Sequence, residues 1–147
     1  MRGLRGLLVL LLTIPVYGKA PADFSGRWQQ QTSSGAQRQM EIEQTDQNLR
    51  VKTTVTTSEG RRQLEVKYEI GGPETTYIGL DGDEFRSSVG WDGSSLVFQT
   101  TEHEAGSEVP QKAVWTLSAD GNTLQVDRES TKLGKATRSS TSWLRQP

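Results

Sequence analysis

The chain has 147 residues, a formal net charge of −1 and no cysteine. Acidic and basic residues are interspersed, so no basic field exists to attract nucleic acid or an anionic membrane. The missing cysteine excludes disulfides, a thiol nucleophile and a lipid anchor attached through a cysteine. The length suits one domain.

The first 22 residues resemble a secretory signal peptide. Arg2 and Arg5 precede an apolar run from Leu7 to Val16, about ten residues, whereas a transmembrane helix needs about 20. The small residues of Ala20-Pro21-Ala22 predict cleavage before Asp23. Cleavage after Ala20 is the alternative, although it would leave a proline at the new N-terminus, and an uncleaved membrane anchor is another. We therefore expect an exported domain over residues 23–147, periplasmic or extracellular. The lack of cysteine favours a bacterial source, and no stable membrane insertion is expected after cleavage.

Alternating polar and apolar residues dominate the rest of the chain, as in "LRVKTTVTT" (49–57) and "LEVKYEI" (64–70). Turn signals such as Asp-Gly and Gly-Gly separate these runs and leave no room for crossover helices. The pattern predicts an all-β, antiparallel up-and-down meander closed into a β-barrel of about eight to ten strands. A two-sheet sandwich is the alternative. The ten candidate strands are 26–31, 37–45, 49–57, 62–70, 75–80, 83–91, 95–103, 109–118, 123–131 and 135–145.

The turns also predict registers, because the correct register places apolar residues opposite apolar residues. The turn at Asp120-Gly121 sets Trp115 opposite Val126. Turns at Gly93 and at Asp46-Gln47 set Trp91 opposite Leu96 and Ile42 opposite Val51. A turn at Glu59-Gly60 would set Val55 opposite Leu64 and Val51 opposite Tyr68. For the last strand, a two-residue turn at Leu133-Gly134 would point Trp143, Thr141 and Ser139 inward, and a three-residue turn would point Leu144 and Arg138 inward; we prefer the first because it buries Trp143.

These registers give the barrel two unlike ends. The inward residues at one end are apolar, including Trp91, Trp115 and Leu124. Those at the other end are polar, and burying a charged group there without a partner would be costly. We therefore expect either a water-filled mouth that binds a ligand or side chains that hydrogen-bond to one another and close the mouth. The candidate ligand-binding residues are Thr53, Phe85, Ser87, Thr100, Glu102, Gln111, Arg128 and Ser130.

"SGRW" (25–28) before a series of hairpins resembles the G-x-W start of lipocalins. The segments "WDGSSLVFQT" and "WTLSADGNTLQVDRES" resemble exported bacterial lipocalin-like proteins of the calycin superfamily. The resemblance implies structural roles for Gly26 and Trp28, with Trp28 packed across the closed end and a basic residue near the last strand, Arg145 by position, stacked on it. The chain departs from ordinary lipocalins in its lack of a C-terminal helix and of disulfides, and in its strand count above eight, so a related ten-stranded barrel is expected.

No catalytic constellation stands out. The chain has one histidine, His103, and in "TEHEAGSE" strand alternation separates it from Glu102 and Glu104. "DGDE" (81–84) lacks the remaining ligands of a calcium loop. We therefore expect no catalytic residues, no cofactor and no metal. The leading hypothesis is a binding protein for a small, partly apolar ligand. The alternatives are an interaction protein, such as a protease inhibitor that presents "DFSG" (23–26) to a protein partner, and an enzyme that uses Glu102 and Arg128 in the barrel mouth.

Overall fold

The computed structural model describes residues 20–32 and 35–147. These residues form ten strands and no helix: β1 (Gly26–Gln30), β2 (Gln37–Gln44), β3 (Asn48–Thr57), β4 (Gly60–Glu69), β5 (Thr75–Ile78), β6 (Glu84–Asp92), β7 (Ser95–Glu104), β8 (Ser107–Leu117), β9 (Thr123–Lys132) and β10 (Lys135–Arg145). The all-β prediction and the count of ten are confirmed. Most of the predicted signal peptide lies outside the described residues, and the described ones contain no helix that could span a bilayer.

The strands form one antiparallel sheet in the order β4-β3-β2-β1-β10-β9-β8-β7-β6-β5, and the pairing of β1 with β10 curves it into a nearly closed barrel. The expectation that all neighbouring strands pair in chain order fails at one place, because β4 and β5 form no ladder. The connection holds Gly71, Gly72 and Pro73, and Pro73 has no N–H to donate. Isolated bonds span the gap instead: Thr75 Oγ1 on β5 donates to the Lys67 carbonyl on β4 at 3.1 Å, and the Gly71 N–H after β4 donates to the Val89 carbonyl on β6 at 2.7 Å.

Most predicted registers are confirmed. Trp115 lies opposite Val126, Trp91 opposite Leu96, and Ile42 opposite Val51. The β3–β4 register was wrong by two residues. Val51 pairs with Val66, and Val55 pairs with Arg62, because the turn residues are Ser58 and Glu59 and the chain already re-enters the ladder at Gly60. A shift of two preserves which face each side chain occupies.

The two-residue turn between β9 and β10 also forms. Leu133 and Gly134 have φ of 50° and 75°, the left-handed region that this type of hairpin turn needs. Trp143 consequently faces Leu124, and Ser139 faces Arg128. The interpretation that buries Trp143 is thus the observed one, with 4% of its surface exposed.

The apolar core lies at the predicted closed end. Its buried members include Phe24, Trp28, Leu49, Leu96, Phe98, Trp115, Leu124, Val126 and Trp143. Trp28 is fully buried, and its indole Nε1 donates a 3.0 Å hydrogen bond to the Phe24 carbonyl. The Arg145 guanidinium lies 4.3 Å from the centroid of the Trp28 ring, so the stacking implied by the lipocalin resemblance is present. Gly26 has a φ of 136°, and a Cβ there would lie 2.5 Å from Arg145 Nη1.

The segment before β1 is part of this core. Phe24 has no exposed surface and packs against Trp91 and Trp115. Its ring centroid lies 6.1 Å from that of Trp91 and 6.2 Å from that of Trp115. The Gln44 side chain holds the backbone on both sides of Asp23, because its Oε1 accepts from the Phe24 N–H and its Nε2 donates to the Ala22 carbonyl, both at 2.8 Å. Residues 22–25 therefore close the apolar end of the barrel, and sequence reasoning overlooked Phe24 in this role.

Candidate ligand cavity

A cavity of about 980 Å³ occupies the polar end of the barrel. Its wall includes residues of the turn at Ser58-Glu59 and of the β5–β6 turn, namely Glu59, Gly79 and Asp81, so the cavity reaches the end opposite Trp28. Its floor includes Phe98 and Trp115, whose other neighbours belong to the core. Pockets for small molecules commonly measure about 300 to 1,000 Å³. Of the two alternatives for the polar end, the structure shows the open one.

Six of the eight predicted mouth residues line this cavity: Thr53, Phe85, Thr100, Gln111, Arg128 and Ser130. Ser87 and Glu102 share the inward face but do not line it. Ser87 is 1% exposed, and its Oγ lies 2.7 Å from Thr100 Oγ1. Glu102 accepts a 2.6 Å hydrogen bond from Gln111 Nε2. Both residues therefore hydrogen-bond to side chains that line the cavity, namely Thr100 and Gln111.

Aromatic side chains cover one half of the cavity wall. They come from β4 to β8 and are Tyr68, Tyr77, Phe85, Phe98 and Trp115. Their rings are in contact in the order Phe85, Tyr77, Tyr68, Phe98 and Trp115. Tyr77 stacks on Phe85 with ring centroids 5.3 Å apart, and the Phe98 centroid lies 4.5 Å from that of Trp115. Tyr68 meets both Tyr77 and Phe98 edge to face. We call these five residues the aromatic wall; it is continuous across the gap between β4 and β5.

Polar side chains line the cavity on β2, β9 and β10, beside the apolar Met40, Val51 and Val55 of β2 and β3. Arg38 on β2, Arg128 and Ser130 on β9, and Thr137 and Ser139 on β10 all line the cavity. We call these five residues the polar wall. In the order of the sheet, β2-β1-β10-β9 is an unbroken group of strands, as is β8-β7-β6-β5. The two walls therefore face each other across the barrel.

Arg128 is the deepest charge in the cavity. It pairs across the ladders with Ala113 and Ser139, one step from the level of Trp115 and Val126. Its side chain is accessible to water inside the cavity but is surrounded by the barrel, and this partial desolvation lowers its pKa, with the nearby charge of Arg38 acting in the same direction. Within residues 20–32 and 35–147, no hydrogen bond or ion pair joins Arg128 to a protein group.

A cluster of carboxylates lies at the rim. Carboxylate oxygens of Asp81, Asp83 and Glu102 lie within 4.8 Å of one another. Burial raises the pKa of Glu102 to about 7, helped by a hydrogen bond to Asp83 and by the charges of Asp81, Asp83 and Glu104. Oxygen ligands of this kind suit hard cations, but the cluster has only these three side chains. The pKa of Glu102 therefore lies near neutral pH, above the ordinary value for a glutamate.

The two alternative functions gain nothing from this geometry. The "DFSG" segment is fastened to Gln44, and Phe24, its largest side chain, is buried in the core and cannot contact a protease. The charged groups that shift the pKa of Arg128 do not include Glu102, which hydrogen-bonds to Gln111 instead. No acid–base pair links Glu102 with Arg128 in the described part of the chain.

Of the ten wall residues, the predicted mouth residues include only Phe85, Arg128 and Ser130; Arg38, Tyr68 and Tyr77 are among those that sequence reasoning missed. Arg38 follows the same alternation as Met40, and Tyr68 follows that of Leu64 and Val66, so the period-two pattern contained the signal for both. Tyr77 lacks such a signal, because β5 has only four residues and its place on the wall depends on its pairing with Phe85.

The same barrel occurs in solved structures of known proteins. A REP1-NXSQ fatty acid transporter superposes with a TM-score of 0.65 at 12% identity, over 84% of this chain and 96% of that one. Apo lipid binding protein 8 of Caenorhabditis elegans gives 0.66 at 10% identity, over 84% and 95%. Zebrafish ileal bile acid-binding protein with cholic acid gives 0.58 at 14% identity, over 84% and 98%.

The chain folds as a calycin-like β-barrel. At these identities the likeness concerns the fold alone. No protein-family model and no curated protein sequence matches the chain.

Proposed function

We propose that this calycin-like barrel binds a small amphipathic anion, with its apolar part on the aromatic wall and its charged head on Arg128. The solved neighbours with the same barrel include proteins named for fatty acid transport, lipid binding and bile acid binding. Their names support a small, largely apolar ligand. The cavity supports one of drug-like size.

Arg128 carries the proposal. An arginine keeps its charge at any ordinary pH, and water in the cavity solvates the charge of Arg128. At the closed end, by contrast, carbonyl groups hold the charge of Arg145. Arg128 faces the cavity without such a partner in the described residues, and the guanidinium fork is well suited to a carboxylate, sulfonate or phosphate. An anionic head would supply the missing partner.

The aromatic wall supports the apolar part of the ligand. Phe98 and Trp115 form the cavity floor beside Arg128 and are 5% exposed. Tyr77 and Phe85 of the same wall are half-buried, so an apolar group that covers them would remove further surface from water, at about 25 cal/mol per Å². The ligand therefore needs both an apolar surface and an anionic group.

Quenching of tryptophan fluorescence tests this proposal, because Trp115 forms part of the cavity. We expect palmitate to bind and palmitic acid methyl ester to bind about tenfold more weakly or worse, since one charged hydrogen bond contributes about 1.5 to 3 kcal/mol. Arg128→Met should weaken palmitate binding by a similar factor and leave the ester unchanged. Arg138→Met, on the outer face, is the matched control. Equal affinity of the wild-type protein for acid and ester would refute the role of Arg128.

We also propose that the protein is exported and that its leader is removed by cleavage either before Asp23 or after Ala20. The basic flank and short apolar run support this, and the absence of cysteine suits a domain that needs no disulfide. The half-buried Ala22, whose carbonyl bonds to Gln44, favours retention of that residue in the folded chain and so gives weight to cleavage after Ala20. Expression of the full-length chain in a bacterium, followed by fractionation and mass measurement, decides both points. An uncleaved protein in the cytoplasm would refute export.

A further inference from the structure

The two walls differ in how their polar groups are satisfied. On the aromatic side, several polar groups are paired with one another: the Tyr77 hydroxyl lies 3.4 Å from Ser87 Oγ, and Gln111 donates to Glu102. On the polar wall, the side chains of Ser130, Thr137 and Ser139 make no hydrogen bond to any other described residue.

These three hydroxyl groups are neighbours. Ser130 pairs with Thr137, and Ser139 pairs with Arg128, on adjacent strands β9 and β10. They therefore form a patch of donors and acceptors that begins at the Arg128 guanidinium and continues toward the mouth. A simple acyl chain would cover this patch with methylene groups, which offer no hydrogen bond to replace those made with water.

We propose that the ligand is a facially amphipathic anion: an anionic molecule with an apolar face and with hydroxyl groups along the opposite face. The apolar face lies on the aromatic wall, the acid on Arg128, and the hydroxyl groups on Ser130, Thr137 and Ser139. This inference rests on the proposed function and narrows it from amphipathic anions in general to hydroxyl-bearing ones. Arg38, which also belongs to the polar wall, adds a second positive charge near Arg128 and so favours an anionic group there.

The test compares matched ligands on the wild-type protein. Cholate and lithocholate share a ring system and a carboxylate, but cholate is the richer in ring hydroxyls; palmitate has the acid without rings or hydroxyls. We expect cholate to bind at least about tenfold more tightly than lithocholate and palmitate, because each new hydrogen bond contributes about 1 kcal/mol. The hydrophobic effect alone predicts the opposite order, so the order of affinities decides between them.

A double variant, Ser130→Ala with Thr137→Val, locates the contact. We expect cholate affinity to fall about tenfold while palmitate affinity does not fall, because an acyl chain makes no hydrogen bond to these hydroxyl groups. Ser140→Ala removes an outward-facing hydroxyl on β10 that bonds to Asp127, and it should change neither affinity. Thermal melting of each variant confirms that it is folded. Palmitate or lithocholate binding as tightly as cholate, or the double variant weakening every ligand equally, would overturn this inference and leave the binding of an amphipathic anion at Arg128 standing. If none of the three ligands binds, both proposals fail.

Discussion

Arg145→Ala removes a side chain that joins three segments at the closed end of the barrel. The guanidinium lies 4.3 Å from the centroid of the Trp28 ring. Its Nη1 donates a 2.6 Å hydrogen bond to the Ser25 carbonyl, and its Nε donates a 3.0 Å bond to the Gly121 carbonyl in the β8–β9 turn. The substitution therefore releases the segment before β1 and the turn at the same time.

The contacts set the size of the effect. A cation over an indole contributes about 0.5 to 2 kcal/mol, and a hydrogen bond from a charged donor about 1.5 to 3 kcal/mol. Because neighbouring contacts are not additive, we expect Arg145→Ala to lower the free energy of unfolding by about 3 kcal/mol rather than by the full sum. For a domain of this size that corresponds to a fall in Tm of about 10 °C.

Thermal and urea unfolding monitored by circular dichroism measure this loss. Arg138→Ala is the control on the same strand: Arg138 is 80% exposed and its ion pair with Glu129 measures 3.4 Å, so its removal should cost at most about 1 kcal/mol. Arg145→Lys retains the charge and loses the planar fork, and we expect an intermediate stability. If Arg145→Ala is no less stable than Arg138→Ala, the stacked arginine does not hold the closed end together.

Three other substitutions test separate parts of the fold. Phe24→Ala should cost about 3 to 5 kcal/mol in urea unfolding because it empties a fully buried site; a loss below 1 kcal/mol would mean that the segment before β1 is not part of the core. Glu102 has a pKa raised from 4.5 to about 7, so the folded chain holds its proton more tightly and stability falls as pH rises through that interval. Glu102→Gln should flatten this dependence and be more stable by about 1 kcal/mol above pH 7, after solvent screening; an unchanged pH profile would contradict the raised pKa. Leu133→Asn should raise the free energy of unfolding by about 0.5 to 1 kcal/mol, and so raise the Tm slightly, because Leu133 is 93% exposed at a φ of 50° that asparagine adopts more easily. A lower Tm would contradict that reasoning.

The sequence by itself determined the strands, the faces and most registers. Strand alternation has a period of two, so the inward set could be identified wherever a run was long, as in β3, β7 and β9. The Asp-Gly, Gly and Leu-Gly turns then fixed which residues face each other, and Trp115 opposite Val126 follows from local chemistry alone. The β3–β4 register was wrong because "SEGR" admits two turn positions with the same facing pattern.

Only the tertiary structure decided how the barrel closes and what its cavity contains. The gap between β4 and β5, the burial of Phe24 and the place of Tyr77 depend on contacts between residues distant in sequence, which no local pattern encodes. The division into an aromatic wall and a polar wall has the same origin. Alternation shows that Arg128 and Ser130 point inward, whereas the curvature of the whole sheet places Tyr68 and Phe98 across the cavity from them.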